Sequence, residues 1–156
     1  MNKTPDFRFA AAPLLLERHW EIEAVVEHGD ARGRTMGFPT ANMHLEEGYP
    51  LAYGVYAVRV AIMRNGEVES RHDAVANFGI RPMYRTARPL LEAHLFDFDG
   101  DLYGRTLQVE FVAFLRPEAS FAGLEALIAQ IHVDAQQARD MLEFFTRGGV
   151  ALASIA

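Results

Sequence analysis

Between two apolar stretches the chain reads His28-Gly29-Asp30-Ala31-Arg32-Gly33-Arg34-Thr35-Met36-Gly37-Phe38-Pro39-Thr40-Ala41-Asn42. Glycines such as Gly29, Gly33 and Gly37 let backbone N–H groups come close to phosphate oxygens, and Arg32 and Arg34 add positive charge. Thr40 and Asn42 offer hard oxygens of the kind Mg²⁺ prefers. No Gly-Lys-Ser/Thr follows, so the segment is not a Walker A loop; on chemistry alone it is either an anion-binding loop or an ordinary glycine-rich turn. Glu92 stands inside an apolar run, flanked by Leu90, Leu91, Ala93 and Leu95. One reading puts it on a solvated outer face. On the inward face of a small barrel it would instead serve as a general base toward a hydroxyl, the role that a phosphoryl acceptor needs.

The remaining polar positions read more plainly. His94 shares a face with Glu92 and is expected to be a structural, hydrogen-bonded histidine. His28, His44, His72 and His132 show no metal-ligand spacing. Asn77-Phe78-Gly79-Ile80-Arg81-Pro82 has the composition of a turn. Asp97, Asp99 and Asp101 alternate around a glycine without completing a calcium loop, and are expected at a solvated hairpin tip.

These residues need elements to hold them. Trp20, Ile22, Ala24 and Val26 alternate with a polar face, and Gly54 to Ile62 is β-branched, so both stretches are predicted strands. Asn65-Gly66 supplies the positive-φ residues of a tight hairpin whose returning strand runs from Glu67 to Ala76. Leu90 to Phe98, with Glu92, His94, Phe96 and Phe98 on one face, and Thr106 to Leu115 form two more strands. After Pro117 the period changes. Phe121, Leu124, Leu127, Ile128, Ile131, Ala135, Ala138, Met141, Leu142 and Phe145 recur at three- and four-residue steps, as in one long amphipathic helix with Ser120 as a possible cap and Gly148-Gly149 at its end. Five or six short strands followed by one helix predict an antiparallel barrel or sandwich closed by that helix.

With 156 residues, half of them apolar, the chain suits one domain with a real core. The net charge of -6 argues against a nucleic-acid partner, which calls for a clustered basic face. There is no cysteine, hence no disulfide and no thiolate zinc site. Neither a signal peptide nor an apolar run of roughly 20 residues is present, so a soluble cytoplasmic protein without a membrane partner is expected. Residues 1–19, including Ala10-Ala11-Ala12-Pro13, are read as an arm docking through Leu14-Leu15-Leu16, residues 20–147 as the domain and 148–156 as a tail.

Taken in order, His28-Gly29-Asp30, Gly33-Arg34, Gly37-Phe38-Pro39-Thr40-Ala41-Asn42, Gly54-Val55-Tyr56, Asn77-Phe78-Gly79 with Arg81-Pro82, Leu91-Glu92-Ala93-His94-Leu95, Asp97-Phe98, Asp101-Leu102-Tyr103-Gly104 and Leu115-Arg116-Pro117-Glu118 resemble the riboflavin kinase family. The kinase module of that family also forms the C-terminal part of bifunctional bacterial FAD synthetases. The resemblance covers roughly residues 20 to 145. It implies a six-stranded antiparallel Greek-key β-barrel with a long C-terminal α-helix, and transfer of the ATP γ-phosphate to riboflavin, giving FMN and ADP. It further implies Glu92 as the catalytic base, Thr40 and Asn42 as Mg²⁺ and phosphate ligands, and Gly29, Arg32, Gly33, Arg34, Gly37 and Pro39 in the ATP loop. Asn77 is also a ligand-binding position by this likeness, with Tyr103 on the nucleotide side and Arg116 and Phe121 toward the flavin. By pattern alone Phe121 and Leu124 would be core, with flavin stacking the alternative. Two segments depart from the bacterial pattern: Arg81-Pro82-Met83-Tyr84 replaces Arg-Pro-Thr-Phe, and Arg18-His19-Trp20 replaces an aromatic-glycine opening. The stretch before the first strand leaves no room for an adenylyltransferase module, so a kinase without the FAD-forming step is expected; the chain is also expected to be a monomer. The alternative is a flavin- or nucleotide-binding module of the same fold without turnover.

Overall fold

Period-two runs of β-branched and aromatic residues become strands here, and the three-to-four periodicity becomes a helix. The computed structural model describes residues 14–29, 38–80 and 88–148. Among these the elements are β1 (Leu14–Val25), β2 (Ala41–His44), β3 (Gly54–Arg64), β4 (Glu67–Gly79), β5 (Leu90–Leu95), β6 (Thr106–Arg116) and the helix α1 (Leu124–Thr146). All neighbours are antiparallel, in the order β1-β6-β3-β4-β5-β2. Three successive strands, β3, β4 and β5, lie side by side and β6 returns beside β3, which is a Greek key. The edge strands approach each other where the Glu27 N–H donates to the Asn42 carbonyl at 2.7 Å, an isolated bridge. The sheet is therefore barrel-like, joined at its seam by one bridge and not by a ladder.

The curled sheet buries two separate apolar clusters. Its interior holds Met43, Tyr56, Phe78, Leu91, Leu107 and Phe111. Tyr56 is fully buried, and its hydroxyl donates to the Ala52 carbonyl at 2.6 Å, so the polar tip is satisfied. Burial pushes this phenol far above its ordinary pKa. The second cluster lies outside the sheet, where Ala138 and Leu142 of α1 meet Leu15, Val55, Phe96 and Val112. Strand β3 is covered on both faces, which accounts for its nearly unbroken apolar run.

Several boundaries differ from the sequence reading. Strand β1 begins at Leu14, where Leu14 and Leu15 pair with Phe114 and Ala113 before a register shift leads to Trp20 opposite Phe111. The helix starts at Leu124 with Gly123 at its N-cap and no capping side chain, so neither Ser120 nor Phe121 belongs to it. Strand β5 stops at Leu95, followed by a turn with Asp97 at φ 53°; Phe96 then packs under the helix while Phe98 joins the interior cluster. Among the described residues no helix is long and apolar enough to cross a membrane.

Candidate active site

Strand pairing brings distant residues into one line. Asn42 of β2 lies opposite Glu92 of β5, Glu92 opposite Asn77 of β4, Asn77 opposite Val55 of β3, and Val55 opposite Arg116 of β6. Directly opposed residues share a face, with Cβ atoms about 4.5–5.5 Å apart. Leu91, Ala93 and Leu95 point into the interior, whereas Val55 belongs to the cluster under the helix. The row therefore runs along the outside of the barrel, and Glu92, half-buried, faces outward and not into the barrel. The reason is register: with period two, the strand that supplies Leu91 and Ala93 to the core must turn Glu92 and His94 away from it.

The approach to Thr40 is pinned from that same outer face. His94 Nδ1 donates to the Pro39 carbonyl at 3.0 Å. The Phe38 ring stands edge-on to His94, with centroids 5.6 Å apart, and to His132 of α1, at 4.9 Å. Asn42 Nδ2 donates to the Thr40 carbonyl at 3.4 Å, which fixes the amide's donor end. Gly29 packs so closely on the Asn42 amide that any side chain at position 29 would displace it. Beside the seam, one Glu27 carboxylate oxygen accepts from the His44 backbone N–H at 3.0 Å and meets His44 Nδ1 at 2.8 Å. Burial by itself would raise the Glu27 carboxyl. The hydrogen bonds from His44, with the charges of His44 and Arg88, outweigh it and hold the group below the ordinary carboxylate value.

A cavity of about 560 Å³ opens next to Asn42, lined by residues 26–29, 39–42 and 98–103 together with Ala93 and Leu95. That size suits a small organic ligand. At its wall the His28 ring stacks on Tyr103, with centroids 3.5 Å apart and planes at 17°. The Tyr103 N–H donates to Asp101 Oδ1 at 2.9 Å. Among the described residues no three His, Cys, Asp or Glu side chains converge as a metal cage. The Thr40 hydroxyl and the Asn42 amide oxygen fit a different arrangement, in which a hard cation takes most of its ligands from phosphate and water.

At the far end of the row Arg116 forms a two-pronged pair with Asp134 of α1, Nε to Oδ1 at 2.8 Å and Nη2 to Oδ2 at 2.7 Å. Its guanidinium carbon lies 5.5 Å from the centre of the Phe121 ring. Of the residues singled out in the sequence, Gly29, Pro39, Thr40, Asn42 and Tyr103 line the cavity. Glu92, Asn77 and Arg116 share the row, and Asn42 belongs to both groups. Arg32, Gly33, Arg34, Gly37 and the Met83-Tyr84 departure lie outside the described residues. Sequence reasoning missed Phe38 and Glu27 as supports, and Asp134. The last had a signal: it sits three residues after Ile131 and four before Ala138, a charge on the apolar stripe.

A family model described as Flavokinase, riboflavin kinase, matches residues 16–142. A bifunctional riboflavin kinase/FMN adenylyltransferase of Bacillus subtilis is 40% identical over 131 residues, 81% of this chain and 40% of that protein. The protein of the same name from Escherichia coli K12 is 44% identical over 140 residues, 90% of this chain and 42% of its own length. The chain thus spans about two fifths of the length of these curated relatives. Among solved structures, one from Streptococcus pneumoniae titled as a macrolide-efflux protein superposes with a TM-score of 0.66 at 34% identity, over 76% of this chain and 38% of that one. A riboflavin kinase from Trypanosoma brucei superposes with a TM-score of 0.56 at 23% identity, over 86% and 82% of the two chains, a likeness of fold.

Proposed function

This chain belongs to the riboflavin kinase family, and from that membership we propose that it transfers the γ-phosphate of ATP to the terminal ribityl hydroxyl of riboflavin, releasing FMN and ADP. The observation that carries the reading is the register row, which sets Glu92 between Asn42 and Asn77, residues far apart in sequence, beside the cavity that Asn42 also lines. ATP occupies the cavity, with its phosphates toward Thr40 and Asn42 and its base on the side of Tyr103. Riboflavin lies along the outer face, with its ring toward Arg116 and Phe121 and its ribityl chain running toward Glu92.

Glu92 accepts the proton of the terminal hydroxyl as that oxygen forms its bond to the γ-phosphorus and the bond to the β–γ bridging oxygen breaks. Asn77, opposite Glu92, orients the acceptor. Thr40 and Asn42 would hold Mg²⁺, which when bound draws off negative charge from the phosphate oxygens. Little covalent chemistry falls to the protein, so positioning and charge stabilisation dominate.

The test is direct. Purified chain incubated with riboflavin and Mg·ATP is expected to yield FMN and ADP in equal amounts, separated by chromatography. Flavin binding without FMN, in Mg²⁺, Mn²⁺ and Zn²⁺ alike, would replace the kinase by a binding module.

A further inference from the structure

Asp134 is the buried charged residue among those described, 4% exposed, and no step of the phosphoryl transfer uses it. A carboxylate so placed must be paired, and this one is. Both oxygens receive the Arg116 fork, and Oδ1 also accepts from Gln130 Nε2 at 2.9 Å. Arg116 Nη1 donates to the Pro117 carbonyl at 3.0 Å, and the guanidinium carbon lies over the Phe121 ring, 5.5 Å from its centre. Stability is a weak reason for such a pair, since apolar residues of similar volume often serve a buried site as well. Geometry is a better one. The connection at residues 117–123 is mostly exposed and α1 begins without a capping side chain. The fork is a rigid, directional link between that connection, the end of β6 and the helix.

We propose that Asp134 is a positioning residue for the flavin acceptor. By fixing the guanidinium plane of Arg116 it seats the Phe121 ring, and so sets the wall against which a flat, three-ring acceptor lies at the end of the row away from Thr40. The proposal rests on the kinase reading above, which puts riboflavin on this side. It assigns Asp134 no contact with either substrate.

Asp134→Asn keeps the shape and removes the charge, whereas Arg116→Lys keeps the charge and removes the fork. Riboflavin binding is followed by quenching of flavin fluorescence, the two KM values by steady-state turnover, and folding by the thermal midpoint. Each variant is expected to weaken riboflavin binding and raise its KM by about tenfold, as misplacement of a positioning group does. The KM for Mg·ATP should stay within about twofold, because the cavity is built from other elements. The double variant should be little worse than either single one, since both changes break the same link. A lower thermal midpoint with unchanged riboflavin affinity, or equal rises in both KM values, overturns the proposal. If Asp134→Asn does not fold, Asp134→Glu, which keeps the charge and displaces the fork, decides it by the same split. A wild-type chain that binds riboflavin without making FMN removes the kinase reading and leaves the binding comparison to decide Asp134. A wild-type chain that does not bind riboflavin removes both.

Discussion

The type of residue 92 was informative in the sequence, but its direction was not. A lone Glu between leucines and alanines has two sides to choose from, and period two does not say which side is the core. The structure turns it outward, between Asn42 and Asn77, so that outward here does not mean solvated. Replacing Glu92 with Gln keeps the shape and removes the proton acceptor. Turnover is expected to fall by roughly 10²- to 10⁴-fold with both KM values little changed, and wild-type kcat in this variant would take Glu92 out of the mechanism. Thr40→Ala removes a hydroxyl at the cavity wall. It is expected to raise the Mg²⁺ concentration needed for half-maximal FMN formation while leaving the thermal midpoint nearly unchanged; an unaltered Mg²⁺ titration counts against Thr40 as a ligand. The supporting role of Asp134 was harder to see, because a single acidic residue on a helix gives no hint of its partner 18 positions earlier in the chain.

Among the elements, the most legible was the β3–β4 hairpin. Asn65 and Gly66 adopt φ of 52° and 79°, which these two residue types tolerate best, and the turn sets the pairing of the strands on either side. Strand β2 escaped notice for the opposite reason. It has only four residues, and its extended form comes from pairing with β5, not from its own composition. The helix start was misplaced because Phe121 continues the apolar spacing, although its ring is spent on Arg116. The far end of the hairpin carries an electrostatic tie: Glu69 receives Arg105 Nη2 at 2.9 Å and Arg64 Nε at 2.6 Å. These bonds, from Arg105 first and then Arg64, hold the Glu69 carboxyl below its ordinary value. A depressed carboxyl adds stability above its unfolded-state pKa and loses it as the pH falls through the folded one. Glu69→Gln should therefore lower the thermal midpoint slightly near neutral pH, with the gap to wild type closing on acidification. A gap that persists in acid would show that the charge is not its cause.

For the molecule as a whole, the two clusters divide the labour. The interior holds the barrel together, and the outer cluster fastens α1 to β3, β4 and β6. Such a division was implicit in the sequence, where alternating strands and a single amphipathic helix each needed a partner, but the seam between β1 and β2 was not, since one backbone bridge leaves no pattern in side chains. Leu142 is fully buried in the outer cluster. Leu142→Ala is expected to cost about 2–5 kcal/mol in denaturant unfolding and to speed amide exchange in α1 more than in β3 and β4. Uniform acceleration throughout the chain would mean that helix and barrel open together. The row that joins Asn42, Glu92 and Asn77 has a practical consequence for the bench. A slip of β5 by one residue would drive Glu92 into the apolar interior and bring Leu91 and Ala93 to the surface. Correct pairing is therefore a condition of the row itself, and a chain that pairs β5 out of register loses the juxtaposition of Asn42, Glu92 and Asn77 together with its apolar interior. FMN formation by weakened variants is therefore compared per folded molecule, so that lost pairing is not counted as lost chemistry.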